Sequence, residues 1–328
     1  MAAGGARFAC AMMLAAAAFA QHRAATVASD GSGDFPTIGA ALESGATVLR
    51  IKPGIYKQVL NIKASDVQLR GLGTKPEDVV LTYDNSAATA GGTTNSASVT
   101  VSGDDFYAEN LTFENSYSRT RPLTQQGSQA VAIKITADRA VFRHVRFLGY
   151  QDTLYANSKR CESDAGPCQP ARQYFFECYI EGNVDFIFGD ALAFFERCEI
   201  HALPHQVVYL TAQSKHYADE KSGYVFDHCR ITAASGASRV YLGRPWRAFS
   251  TVVFLDTEMP AEIVPEGWHE WEHDGKPSLP TSFYGEYASK GPGAKPDARK
   301  QLTPAEARRF ELKNFLAGED QWDPAKVR

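Results

Sequence analysis

The feature that most constrains this chain is a phrase of alternating apolar residues that occurs six times. It first reads Phe106-Tyr107-Ala108-Glu109-Asn110-Leu111-Thr112-Phe113, then Ala140-Val141-Phe142-Arg143-His144-Val145-Arg146-Phe147. It comes back at 174–180, 194–200, 224–231 and 252–259. Each copy closes on a large apolar residue: Phe113, Phe147, Ile180, Ile200, Ile231 and Met259. The intervals are irregular, as expected of coils joined by loops of different length. A unit this small cannot bury its apolar face alone and must stack on its neighbours, so the repetition implies a solenoid.

The residues two before those markers are Leu111, Val145, Cys178, Cys198, Cys229 and Thr257. In a strand both positions point the same way, so they are expected to form ladders along the interior. Val, Ile, Thr, Phe, Tyr and Gly dominate the runs and little follows a 3.6-residue period, which argues against helices. The expected fold is all-β, a parallel β-helix, with a β-sandwich as the second choice. Short helices are expected to cover its ends. Residues 37–44 place Ile38, Ala41 and Leu42 at helical spacing, and Thr303-Pro304-Ala305-Glu306 reads as an N-cap, a first-turn Pro and a capping-box Glu. The Gly/Pro/Lys-rich stretch 271–300 is expected to wrap the outside. One domain, 21–328, accounts for everything after residue 20.

A net charge of -4 gives no electrostatic case for nucleic acid or an anionic membrane as partner. Residues 1–20 carry one Arg, Arg7, then an Ala/Met/Leu stretch ending Ala18-Phe19-Ala20. This reads as a secretory signal and is too short to span a membrane. Export permits disulfides among Cys161, Cys168, Cys178, Cys198 and Cys229. The odd number leaves at least one thiol free or paired between chains.

Three stretches carry chemistry. Gly182-Asn183-Val184-Asp185-Phe186-Ile187-Phe188 buries one carboxylate in an apolar run, where an unpaired charge is costly. Gly149-Tyr150-Gln151-Asp152-Thr153-Leu154-Tyr155 repeats the pattern, and Leu242-Gly243-Arg244-Pro245-Trp246 supplies a lone Arg. A single Asp of this kind is more often a turn residue bonded to its own backbone. Two carboxylates with one Arg can instead divide into an ionised nucleophile and a protonated acid.

These motifs, with Gly54-Ile55-Tyr56-Lys57-Gln58 and Gln129-Ala130-Val131-Ala132-Ile133, resemble the pectin methylesterases over nearly the whole chain after residue 30. Two small departures are Gln58, where the family usually has Glu, and Ile133, where it usually has Leu. The resemblance implies a right-handed β-helix and hydrolysis of methyl esters in pectin. It implies Asp185 as nucleophile, Asp152 as acid then base, and Arg244 as the group that orients Asp185. Gln129 and Gln151 would stabilise the oxyanion, a role worth about 3–4 kcal/mol per donor. Tyr155, Phe188, Trp246 and Trp271 would bind sugar rings. No cofactor or metal is implied, and the eight His show no clustered ligand pattern in the sequence. The family pattern further implies a Cys178–Cys198 bridge with Cys229 free.

Between Tyr155 and Arg172 the chain is longer than in compact family members. Cys161 and Cys168 are close enough in sequence to bridge within this insert, which is expected beside the substrate groove. A secreted, monomeric enzyme acting on methylated homogalacturonan is the expectation. The rivals are a polygalacturonase or pectate lyase on the same fold, a catalytically silent carbohydrate-binding solenoid, and an acyl-thioesterase or other carbohydrate esterase on this scaffold.

Overall fold

The computed structural model describes residues 23–121, 126–159 and 169–327. The expected signal segment and Cys161 and Cys168 lie outside these residues. Among the described residues the chain winds into a parallel β-helix with three long sheets of ten, seven and six strands.

The recurring phrase is one corner of the coil. Strand Tyr107–Glu109 belongs to the ten-stranded sheet and Thr112–Asn115 to the seven-stranded sheet. Asn110 turns the chain between them with a φ of 54°, and His144, Glu177, Arg197, His228 and Asp256 repeat that left-handed turn on later coils. Such a turn costs an ordinary residue about 1–2 kcal/mol. The backbone N–H of each corner meets a carbonyl of the following coil, for example His144 to Phe176 at 3.0 Å and Arg197 to Asp227 at 2.9 Å. The phrase recurs because every coil makes the same bend.

Inside the bend the expected ladders form. Tyr56, Leu81, Phe113, Phe147, Ile180, Ile200 and Ile231 stand in register on successive strands. A second ladder stacks Phe142, Phe175, Phe195, Phe226 and Phe254 with ring centroids 4.5–4.9 Å apart and planes within 11°. Those separations match the strand spacing, so backbone pairing and ring packing reinforce each other.

The cysteine ladder is a correction. Cys178, Cys198 and Cys229 are buried free thiols, so the Cys178–Cys198 bridge is absent. Side chains directly stacked on in-register parallel strands keep the strand spacing of about 4.8 Å, whereas a disulfide draws its Cβ atoms to about 3.8 Å. Each thiol donates instead to carbonyls, Cys178 to Phe142 and Phe176, Cys198 to Phe175 and Glu196, and Cys229 to Phe195 and Asp227.

Helix Ile38–Glu43 buries Ile38 and Ala41 and touches the first strands, with the Thr37 hydroxyl accepting from Ala40 N. It covers one end as expected. The other end differs. The capping box at Thr303 and Glu306 forms, but Ala307, Phe310, Phe315 and Leu316 pack on Tyr174, Phe194 and Val225. These side chains point outward from the ten-stranded sheet, so the helical pieces clad that face. Stretch 271–300 also does more than wrap the outside, because it contributes the last strand of that sheet, Phe283–Tyr287.

Candidate active site

Asp152 and Asp185 open two neighbouring strands of the six-stranded sheet, Leu154–Ala156 and Ile187–Gly189. Both sit in the left-handed region, at φ 64° and 51°, a conformation that Asp tolerates better than most residues. Leu154 pairs with Ile187, so the two aspartates occupy the same position on adjacent coils, whose strands lie about 4.8 Å apart. Asp152 N donates to Val184 O at 3.1 Å, which fixes that register at the corner itself.

Arg244 arrives from a later coil. A side chain on Gly243 would meet Thr211 Oγ1 at 2.0 Å, so only glycine lets the segment lie flush, and Arg244 N bonds Thr211 O at 2.9 Å. Its guanidinium then grips Asp185 at both oxygens, Nε to Oδ1 at 2.8 Å and Nη2 to Oδ2 at 2.6 Å. Tyr209 and Trp271 sandwich the guanidinium, 4.1 and 4.2 Å from their ring centroids. A fork held in two rings has little freedom left to lose when it pairs.

Burial pushes the Asp152 carboxyl well above the ordinary range, and the nearby Asp185 charge adds to the rise while Arg244 opposes it. Burial also raises Asp185, against the hydrogen bonds and charge of Arg244. Asp185 is therefore the first of the pair to ionise. The arrangement can present a charged carboxylate beside a neutral carboxylic acid.

A cavity of about 420 Å³ brings the site residues together: Gln129, Gln151, Asp152, Asp185, Phe188, Arg244, Trp246 and Trp271 all line it. Gln129 Oε1 is buried without a hydrogen-bond partner among the described residues. Tyr155 is placed differently. It is 3% exposed and stacks against Phe188 at 4.2 Å and 5°, so it supports the aromatic floor. Phe188 and the half-buried Trp246 and Trp271 face the cavity. Thr93, Thr94 and Ala212 also line it, and they and Tyr209 escaped the sequence reading. Tyr209 stands two residues before Thr211 as Asp185 stands two before Ile187, and Ile187 pairs with Thr211, so only the fold brings it level with the aspartates. A larger cavity of about 830 Å³ lies outside the ten-stranded sheet and shares none of these residues.

The fold brings His216 together with Asp190 and Glu220, their donor atoms all within 4.8 Å of one another. The sequence hid this group because its members come from two coils.

A parallel β-helix carrying paired aspartates, an arginine fork and an aromatic cleft defines a class of β-helical hydrolases. Within that class, the family model for pectinesterases matches residues 24–319. The chain is 39% identical to Pectinesterase 31 of Arabidopsis thaliana over 318 residues, covering 90% of this chain and 93% of that protein. Other plant relatives are longer, and the chain spans 58% of one of them. A pectin methylesterase from carrot superposes with a TM-score of 0.80 at 31% identity, covering 92% of this chain and 95% of that one. A pectin methylesterase in complex with a hexasaccharide gives 0.80 at 30% identity, covering 93% and 99%. The chain belongs to the pectinesterase family and is a carboxylic ester hydrolase.

Proposed function

We propose that this protein removes methyl groups from pectin with Asp185 as nucleophile and Asp152 as proton carrier. The observation that carries the assignment is the Arg244 fork on Asp185 with Asp152 at the same position one coil away. Asp185 attacks the ester carbonyl carbon, and the negative charge that develops on the carbonyl oxygen is met by the amides of Gln129 and Gln151. Asp152 gives its proton to the departing methoxy oxygen, so methanol leaves and a mixed anhydride remains on Asp185. The Asp152 carboxylate then takes a proton from water as that water attacks the anhydride. Asp185 departs as a carboxylate, galacturonate is freed and Asp152 is again protonated. One ester and one water have become one methanol and one acid.

Phe188, Trp246 and Trp271 are suited to stack on sugar faces, and the aromatic floor continues beneath them in Tyr155. Methylated homogalacturonan is the proposed partner, met outside the cell after removal of a signal ending near Ala20. Among the described residues no helix is long and apolar enough to cross a membrane. The thioesterase alternative is disfavoured, because the matching family and structures are pectinesterases. The test is methanol release from highly methylated pectin by the wild-type protein. Methanol should appear without loss of polymer viscosity. Depolymerisation without methanol, or acyl-CoA turnover without pectin turnover, would overturn the proposal.

A further inference from the structure

Asp190, His216 and Glu220 take no part in the ester chemistry, and the fold nevertheless places one donor atom from each within 4.8 Å of the others. Asp190 directly follows strand Ile187–Gly189, and loop 214–222 directly follows strand Thr211–Gln213. The strands pair with Gly189 opposite Gln213, and Ser214 N donates to Gly189 O at 2.9 Å. The three side chains therefore meet where one ladder of the six-stranded sheet ends.

Each group is held in place by the backbone. Asp190 is 2% exposed; Oδ1 accepts from Ser158 N at 2.5 Å and Oδ2 from Ser158 Oγ at 3.0 Å. Glu220 Oε2 accepts from His216 N at 2.6 Å and Tyr217 N at 3.2 Å. That bend brings His216 Nδ1 to 3.7 Å from the same oxygen, with the two side chains only 7% and 4% exposed. Two carboxylates this near and this dry repel, and burial makes each charge expensive. A divalent cation could take one donor atom from each of the three side chains.

We propose that Asp190, His216 and Glu220 form a structural site for a divalent cation of the zinc or manganese class. One imidazole with two carboxylates suits these borderline ions better than calcium or magnesium, which take oxygen ligands. Three protein ligands leave room for water. The site pins loop 214–222 to the strand that carries Phe188. The loop is continuous with the cleft wall, since Gln213 O accepts from Trp246 N at 3.0 Å and Lys215 O from Phe249 N at 3.2 Å. Bound metal would stiffen the Trp246 side of the cleft and take no part in ester cleavage.

The full mature protein, stripped with chelator, is to be titrated separately with ZnCl2, MnCl2 and CaCl2 by calorimetry, with Tm followed in parallel. Zinc or manganese should bind at one equivalent per chain and raise Tm, and calcium should do neither. Binding should weaken by at least about 100-fold in both Glu220→Gln and His216→Asn. It should be unchanged in Asp256→Asn, which alters a second, more exposed Asp227/His228/Asp256 group. Wild-type protein that binds neither zinc nor manganese saturably would overturn the site. So would binding that survives in Glu220→Gln and His216→Asn, or is lost in Asp256→Asn.

Discussion

Arg244 holds Asp185 by both carboxylate oxygens, at 2.8 and 2.6 Å, while Asp152, at the same position on the adjacent coil, receives no such fork. Two aspartates of similar burial and equivalent position are set apart by one guanidinium, which is the basis of the different roles proposed for them. Replacing Arg244 with Ala should lower kcat on methylated pectin by roughly 10²–10³-fold, the range seen when one positioned charge-stabilising donor is lost elsewhere. The sign of the pH effect follows from Arg244 holding the Asp185 pKa down. Without it Asp185 ionises later, so the acid limb of the kcat/KM profile should move to higher pH. A wild-type limb in the variant would remove Arg244 from this role.

Asp152 should cost the fold stability at neutral pH. Its folded-state pKa is raised by burial first and by the Asp185 charge second, whereas the unfolded chain loses that proton near pH 3.9. Between these two values unfolding releases a proton, so the contribution of Asp152 falls as pH rises from the unfolded value through the folded one. Asp152→Asn abolishes this titration. The variant should melt higher than wild type at pH 7, with the gap narrowing toward pH 4, and its kcat should fall steeply. Equal melting temperatures across that range would contradict a strongly raised Asp152.

Trp246 lies 6.0 Å from Phe188 and 6.5 Å from Tyr155 between ring centroids and lines the cavity. Removing one sugar-stacking ring should cost about 1–2 kcal/mol of binding. Trp246→Ala is expected to raise KM for methylated pectin about tenfold while kcat changes less. A loss confined to kcat would point to a role in chemistry instead.

Much of this was legible in the sequence because a solenoid reuses one bend. The left-handed corners at Asn110, His144, Glu177, Arg197, His228 and Asp256 impose one pattern of apolar residues on every coil. The register of the recurring phrase then placed the interior ladders. Asp152, Asp185 and Arg244 stood out because charge in apolar surroundings demands a partner. Features that depend on distances between coils were not legible. Tyr209 stacks on Arg244 from a segment with no charge to draw notice, and Asp190 meets His216 only across paired strands. The helical pieces after Thr303 have end-capping chemistry in sequence, but the apolar outer face that receives them, Tyr174, Phe194 and Val225, is set by the other side of strands already assigned to the core.

The thiol ladder can be tested by chemistry. Cys178, Cys198 and Cys229 are buried and free, so a native-state thiol reagent should leave them unmodified. Denaturation without reductant should make all three alkylatable, each recovered in its own peptide by mass spectrometry. A linked Cys178–Cys198 peptide would contradict the free-thiol state.

Asp185 as nucleophile is the claim on which the rest stands, and kcat for methanol release by Asp185→Ala tests it most directly. Binding of the polymer to the same sample, and its circular dichroism, confirm that cleft and fold survive. Loss of the attacking carboxylate should lower kcat by at least about 10⁴-fold, the scale on which removing a nucleophile acts in other covalent hydrolases, while pectin binding persists. An Asp185→Ala enzyme that folds, binds pectin and releases methanol within tenfold of wild type would contradict it.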